Sequence, residues 1–249
     1  MSFPYELTEA LGPKARLGLI VLQTDETIEQ DFRQAFPSGD IALYVSRVPS
    51  GAAVTPETLS AMAGELTASA ALLPSSVAFS AIGYGCTSGA TMIGADRVAA
   101  LIAQGVQPGA GVTNPLTATL AGLRALDVSK IAIVSPYIAS VCAPMQAVFE
   151  AQGIAVHQTV SFGEEIEERV ARIDPASIFQ AACVAGADPS VEAVFLSCTN
   201  LRTFDILADL EAELGKPVLS SNQALAWHMA SLAGGVTLEP KLGQLGQLL

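Results

Sequence analysis

The stretch EAVFLSCTN, residues 192–200, has the form of a buried β-strand that ends at a cysteine. A run of apolar residues that favour strands gives way abruptly to Ser-Cys-Thr-Asn. The same form occurs earlier in the chain, in VAFSAIGYGCTSG at residues 77–89. Two apolar strands that each end in Cys-Thr indicate a repeated structural unit, with Cys86 and Cys198 in equivalent places.

Two further landmarks recur at nearly the same interval. Apolar opening strands are predicted at 16–22 and 130–136, and strands that end near an asparagine are predicted at Asn114 and Asn222. The two opening strands, the two cysteines and the two asparagines are 114, 112 and 108 residues apart, respectively. A nearly constant offset is what an internal duplication produces.

Segments of helical character alternate with these strands. Thr55-Pro56-Glu57 is typical of a capped helix start, because threonine caps well and proline fits the first turn. Helices are predicted over 55–73, 94–104, 116–126, 138–152 and 203–214, after Asp174, and from about Gln223. Alternating β and α segments predict parallel sheets that are covered by helices on both faces.

We therefore expect an α/β fold of two pseudo-symmetric, doubly wound lobes. Residues 1–115 and 223–249 are predicted to form the first lobe, and 116–222 the second. Ligands of open parallel sheets bind beyond the carboxyl ends of the strands, where both Cys-Thr pairs lie. The active site is accordingly expected in the cleft between the lobes, with Cys86 and Cys198 on opposite sides of one substrate.

Composition excludes several classes of protein. The chain has 249 residues, of which 51% are hydrophobic and 14% charged, so it is expected to be globular rather than disordered. A net charge of −12 argues against a nucleic-acid partner, because phosphate binding needs a basic surface. No apolar run is long enough for a membrane span, and the opening residues lack the pattern of a secretory signal. We expect a cytoplasmic protein.

The four cysteines are expected to be free thiols, and no metal site is expected. The chain has two histidines and no CxxC spacing. Cys142 and Cys183 fall inside predicted helices and are interpreted as packed side chains. Cys86 and Cys198 lie at strand-to-helix turns, where backbone N–H groups stabilise a thiolate, so at least one of them is expected to have a depressed pKa.

CTSG at 86–89 and SCTNLRT at 197–203 resemble the two cysteine motifs of the aspartate/glutamate racemase superfamily. The branch they resemble more closely contains maleate cis-trans isomerase and arylmalonate decarboxylase, and the resemblance covers nearly the whole chain. It implies two flavodoxin-like lobes, no metal, pyridoxal phosphate or nucleotide cofactor, and a homodimer. It also implies that Cys86 and Cys198 are the acid–base or nucleophile pair and that the Tyr137 hydroxyl binds substrate.

Two segments depart from the pattern of maleate isomerases, which carry asparagine there. VLQTDETIE has Asp25 in the first loop, and FGEEIEE has Glu164 or Glu165. An amide donates hydrogen bonds to a substrate carboxylate, whereas a carboxylate repels it and attracts an ammonium group. These acids favour a substrate with an amino group, although solvated loop acids would give the same sequence. The first loop also resembles the racemase-like proteins of ectoine utilisation, which handle acylated diamino acids.

Three functions are compatible with these features. The first is a racemase or epimerase of a small carboxylate or amino acid, in which one thiolate removes a proton and the other thiol returns one. The second is a maleate-type isomerase with Cys86 as nucleophile, and the third is a non-catalytic small-molecule binding protein. The residues predicted to bind substrate are Thr24, Asp25, Thr87, Ser88, Tyr137, Glu164, Glu165, Thr199 and Asn200.

Overall fold

A computed structural model describes residues 1–239 and 242–249, which contain two sheets of four parallel strands. The strands of the first sheet are β1 (Ala15–Leu22), β2 (Ile41–Val48), β3 (Ala81–Gly85) and β4 (Gly111–Thr113). Those of the second sheet are β5 (Lys130–Tyr137), β6 (Ala155–Glu164), β7 (Ala193–Leu196) and β8 (Val218–Ser220).

The two sheets have the same strand order, β2-β1-β3-β4 in one and β6-β5-β7-β8 in the other. In each sheet the opening strand is central, and the strand that leads to a cysteine lies beside it in parallel register. These central strands are buried, as expected of parallel sheets with helices on both faces. The predicted α/β fold of two pseudo-symmetric parallel lobes is confirmed.

Helices connect the strands and cover both sheets. Those between β1 and β4 are α1 (Ile28–Ala35), α2 (Pro56–Ala61), α3 (Leu66–Ala70), α4 (Thr87–Ile93) and α5 (Ala95–Ala103). Those that follow β4 are α6 (Pro115–Ala125), α7 (Ala139–Ala151), α8 (Glu167–Val170), α9 (Pro175–Gly186), α10 (Leu207–Leu214), α11 (Ser221–Leu232) and α12 (Gly243–Gly246). Within the described ranges no helix is long and apolar enough to cross a bilayer.

The structure differs from the predicted elements in several places. The helix predicted over 55–73 is interrupted by a 3-10 turn at Met62–Gly64, where glycine is a poor helix former, although Thr55 caps α2 as expected. The strand predicted from residue 77 begins only at Ala81. Asn222 lies in the first turn of α11 and not at a strand end. Five elements were not predicted, namely β2 and the helices α1, α4, α8 and α12.

The helices that follow the last strand of each sheet pack across to the other sheet. α11 follows β8 and packs against β3, where a Cβ atom on Gly83 would lie 2.5 Å from the Met229 sulfur. α6 follows β4 and lies against β8, with the Gly122 Cβ position 3.2 Å from Leu219. Because α6 and α11 each pack against the sheet of the other lobe, they join the two sheets. The start of α11 thereby lies between the carboxyl ends of β3 and β7.

Candidate active site

Each Cys-Thr pair follows the carboxyl end of a central strand. Cys86 is the N-cap of α4, and its sulfur accepts a hydrogen bond from the Gly89 N–H at 3.1 Å. Cys198 lies two residues beyond β7, and its sulfur accepts from the Asn200 N–H at 3.2 Å. The two thiols therefore have equivalent local surroundings, as the repeat in the sequence predicts.

The two motifs contact each other directly. The Ser221 hydroxyl, at the start of α11, accepts from the Cys198 N–H at 3.0 Å and lies 2.8 Å from the Thr87 hydroxyl oxygen. In the opposite direction, the Thr199 hydroxyl lies 3.2 Å from the Gly85 carbonyl oxygen, next to Cys86. These bonds bring the ends of β3 and β7 together into one site.

Burial controls the chemistry of both thiols. Cys86 is 4% exposed and Cys198 is 2% exposed. Removal from water is the main reason that the pKa of Cys86 is raised to about 12 and that of Cys198 well above its ordinary value, and the carboxyls of Glu167 and Asp25 contribute to both increases. The expectation of a depressed thiol pKa was wrong, because desolvation and like charges outweigh the backbone N–H donors.

Asp25 is a buried part of the site, and the interpretation as a solvated loop acid is wrong. One carboxylate oxygen accepts from the N–H groups of Thr27 and Ile28, at 2.8 and 2.9 Å, where α1 begins. The other accepts from the Thr199 hydroxyl at 2.8 Å. Burial raises the pKa of Asp25 despite these bonds. Asp25 thus fixes α1 and the second Cys-Thr motif relative to each other.

Glu164 and Glu165 lie outside the site, which corrects their predicted role. The Glu164 carboxylate pairs with the Arg169 side chain at 3.1 Å, and Glu165 is exposed. The acid of this segment that enters the site is Glu167, which is 2% exposed. Glu167 and Val170 are three residues apart and are both buried on the single turn of α8. This helical spacing is the sequence signal that could have identified Glu167 as an inward-facing residue.

Glu167 connects several of the predicted residues. Its carboxylate accepts from the Tyr137 hydroxyl at 2.6 Å and from the Asn200 side-chain amide at 3.0 Å. The Tyr137 hydroxyl oxygen also lies 3.0 Å from the Cys198 sulfur. Burial raises the pKa of Glu167, although both hydrogen bonds oppose the effect.

The remaining predicted residues lie around this cluster. Ser88 is buried next to Thr87 at the start of α4. Thr24 is half-buried at the edge, with its hydroxyl 3.1 Å from that of Ser50 and its carbonyl oxygen 3.5 Å from the Asn200 amide. Cys142 and Cys183 lie in α7 and α9. All four cysteines are free.

A short backbone pairing covers the site. The Val54 N–H donates to the Glu165 carbonyl at 2.8 Å, and the Glu167 N–H donates to the Ala52 carbonyl at 3.1 Å. A small cavity beneath this pairing is lined by Val54, Met62 and Glu167 and has room for about one water molecule. The backbone of segment 52–54 is therefore hydrogen-bonded to the segment that carries Glu167.

Other features of the structure do not add to this site. A surface cavity of about 490 Å³ lies between α5, α6 and α7, where Arg97 and Arg124 line it, and neither Cys86 nor Cys198 lines it. Among residues 1–239 and 242–249, no cluster of three or more His, Cys, Asp or Glu side chains could hold a metal ion.

Comparison with known proteins gives the family. Residues 51–246 match the family described as arylmalonate decarboxylase. The arylmalonate decarboxylase of Bordetella bronchiseptica is 35% identical over 136 residues, which cover 53% of this chain and 56% of that relative. The maleate isomerase of Nocardia farcinica is 26% identical over 86% of this chain and 88% of its own length.

Solved structures agree with these sequence matches. A cysteine-to-serine mutant of the Nocardia farcinica maleate cis-trans isomerase, with a covalently bound succinylcysteine intermediate, aligns with a TM-score of 0.84. It is 25% identical, and the alignment covers 93% of this chain and 97% of that one. The predicted resemblance is confirmed, and the comparisons support an enzyme of this superfamily, an isomerase or a decarboxylase. The chain belongs to the arylmalonate decarboxylase family.

Proposed function

We propose that the protein is a cofactor-independent isomerase that racemises or epimerises a small carboxylate compound carrying an amino group. The observation that carries the proposal is the pair of buried thiols, Cys86 and Cys198, which belong to equivalent strands of two lobes and share one site. A decarboxylase needs a proton donor on one face of its product, whereas inversion of a carbon needs a proton-transfer group on each face.

The proposed reaction moves one proton off the substrate carbon and one proton onto it. One thiolate removes the proton next to the carboxylate, and the electron pair of the broken C–H bond is delocalised into the carboxylate. The thiol on the opposite face then donates its proton to the same carbon. The two thiols have exchanged protonation states, so the reverse reaction starts from the product enzyme and no electron acceptor is needed.

The charges of the site support an amino group in the substrate. The charged side chains that hydrogen-bond to the cysteine motifs are two acids, Asp25 and Glu167. Two unit charges 4 Å apart interact by about 4 kcal/mol at an effective dielectric constant of 20. An ionised acid in this site would therefore stabilise an ammonium group and destabilise a second carboxylate by amounts of that order.

Cis–trans isomerisation of a maleate-like substrate is the second candidate. It is favoured by the maleate isomerase relatives, one of which aligns over 94% of this chain. Because burial raises the pKa of Asp25 and Glu167, their neutral forms would donate hydrogen bonds to a substrate carboxylate. In this reaction Cys86 would add to the double bond, and Cys198 would supply and recover the proton.

Deuterium exchange separates the two candidates. The purified protein is incubated in D₂O with maleate and, separately, with the D and L forms of amino acids and N-acylated diamino acids. NMR then follows loss of the α-proton and the stereochemistry of the product. Proton transfer between opposed thiols predicts α-deuteration with inversion for an amino compound, and slow or no turnover of maleate. Rapid conversion of maleate without α-exchange in any amino compound would establish the second candidate instead.

Cysteine variants test the two-thiol mechanism. Cys86→Ser and Cys198→Ser are each expected to lower turnover at least about a hundredfold, which is the lower range for loss of an acid–base group. Cys183→Ser is the matched control, because Cys183 lies in α9 away from the site and its loss should leave turnover unchanged. Full activity of Cys198→Ser would rule out inversion by two thiols.

A further inference from the structure

The two thiols differ in what their neighbouring tyrosine contacts. Tyr137 lies with its hydroxyl 3.0 Å from the Cys198 sulfur, and the same hydroxyl donates to Glu167 at 2.6 Å. The second oxygen of Glu167 is occupied by the Asn200 amide at 3.0 Å, which fixes the carboxyl in this orientation. A phenol has one hydrogen to donate. When that hydrogen goes to Glu167, the Tyr137 oxygen can only accept from Cys198.

Cys86 has a tyrosine neighbour without an acid. The Tyr84 hydroxyl lies near the Cys86 sulfur, since a Cβ atom on Gly89 would be 2.5 Å from the hydroxyl oxygen and 2.9 Å from the sulfur. Its hydrogen bond goes to the Met62 thioether sulfur, a weak acceptor, at 3.7 Å. Its hydrogen is therefore free to stabilise a Cys86 thiolate. A hydrogen bond from the neighbouring tyrosine lowers the pKa of either cysteine, but the Tyr137 hydrogen is already donated to Glu167, whereas the Tyr84 hydrogen has only a thioether as its other acceptor.

We propose that Glu167 is a positioning residue that acts through Tyr137 to hold Cys198 as a protonated thiol in the resting enzyme, so that Cys86 ionises first. An ionised Glu167 orients the Tyr137 hydroxyl towards itself, and the Cys198 S–H then donates to the Tyr137 oxygen. Ionising Cys198 would place two negative charges at the ends of this chain. Within the proposed function, on which this inference rests, Cys198 is the proton donor and Cys86 the thiolate at the start of turnover in one direction.

The other charged groups around Glu167 either raise the thiol pKa values as well or pair with partners outside the site. Asp25, from the loop before α1, raises the pKa of Glu167 and of both thiols. On α8 itself, Arg169 pairs with Glu164, and Arg172 hydrogen-bonds to Glu26 at 2.8 Å. The small cavity next to Glu167 is lined by the apolar side chains of Val54, Leu59 and Met62, which carry no charge.

The inference is tested by alkylation, without substrate. Iodoacetamide labelling of Cys86 and Cys198 is measured by mass spectrometry from pH 6 to pH 10, and the ratio of the two rates removes any shared effect of site opening. In the wild type, Cys86 should label faster. Glu167→Gln should raise the rate of Cys198 relative to Cys86 at least about tenfold near pH 8, since one unit of pKa is a tenfold change in thiolate.

Two further variants distinguish an effect of the Glu167–Tyr137–Cys198 hydrogen bonds from a general loosening of the packing around the site. Glu164→Gln removes an acid of the same segment outside the site and should leave the ratio unchanged. Adding Tyr137→Phe to Glu167→Gln should reverse most of the gain, because the phenol is then no longer present to stabilise the Cys198 thiolate. Circular dichroism and thermal melting confirm that each variant is folded.

An unchanged ratio in folded Glu167→Gln, or an equal increase at both cysteines, would overturn the role of Glu167. If Glu167→Gln does not fold, Tyr137→Phe alone decides: the Cys198 S–H then loses the oxygen to which it donates, so labelling of Cys198 should rise relative to Cys86, and an unchanged ratio would overturn the inference. Failure of the proposed function would show differently, as no exchange or turnover with any amino compound while the labelling asymmetry persists.

Discussion

Asp31 is expected to make the stability of this protein unusually dependent on pH. Its side chain is 7% exposed on α1, and one carboxyl oxygen accepts from the Asn222 amide at 2.7 Å. The same amide donates to the Thr199 carbonyl oxygen at 2.7 Å, so Asp31 supports the second cysteine motif from behind. Burial raises the pKa of Asp31 to about 8, with a smaller contribution from the negative charge of Asp25, and the bond from Asn222 opposes it.

The size of the effect follows from the two pKa values. Asp31 has an ordinary pKa of 3.8 in the unfolded chain and about 8 in the folded one. Because the folded-state value is raised, the stability this group contributes is present at low pH and is lost as the pH rises towards 8. Between pH 5 and pH 8.5 the loss is about 4 kcal/mol, since each pKa unit corresponds to about 1.4 kcal/mol.

The perturbation that exposes this effect is Asp31→Asn. Asparagine keeps an oxygen that can accept from Asn222 but cannot ionise, so the pH-dependent loss disappears. Urea unfolding of both proteins, followed by circular dichroism at several pH values from 5 to 8.5, gives the free energy of unfolding. The variant should gain about 4 kcal/mol relative to the wild type across this range.

Comparison of the two proteins at each pH cancels the titration of groups that they share. Asp205→Asn is a second test, because the negative charge of the exposed Asp205 helps to raise the pKa of Asp31, so its removal should reduce the pH-dependent loss without abolishing it. A difference between Asp31→Asn and the wild type that stays constant within about 1 kcal/mol would refute the reasoning, because it would mean that Asp31 ionises normally in the folded state.

Two other variants test how the site is packed. Gly89→Ala would place a Cβ atom 2.5 Å from the Tyr84 hydroxyl oxygen and 2.9 Å from the Cys86 sulfur. Because this displaces the thiol, we expect kcat to fall by about a hundredfold. Gly64→Ala is the control and should retain activity, because the Cβ position of Gly64 has no neighbour within 4 Å. Ser221→Ala leaves the buried Cys198 N–H without its acceptor and should lower the free energy of unfolding by about 1–3 kcal/mol in urea titrations; an unchanged value would show that another group replaces the hydroxyl.

The sequence is sufficient for the features that depend on neighbouring residues. Apolar strands that end in Cys-Thr, helix caps such as Thr55 and Asp174, and the repeat offset are all local patterns, and the structure has the corresponding strands and caps. β2 was not predicted, although its sequence IALYVSRV is rich in strand-forming residues, because it is the edge strand and only partly buried.

By itself, therefore, the sequence determined the two parallel lobes, the family and the equivalent positions of Cys86 and Cys198 at the ends of two strands. The tertiary structure alone decided which acids enter the site and what the thiols can do there. Asp25 meets Thr199 across 174 residues of chain, and Glu167 rather than Glu164 or Glu165 turns inward. The physical reason is that desolvation and hydrogen bonding depend on what surrounds a side chain in space, and adjacent residues do not specify those surroundings.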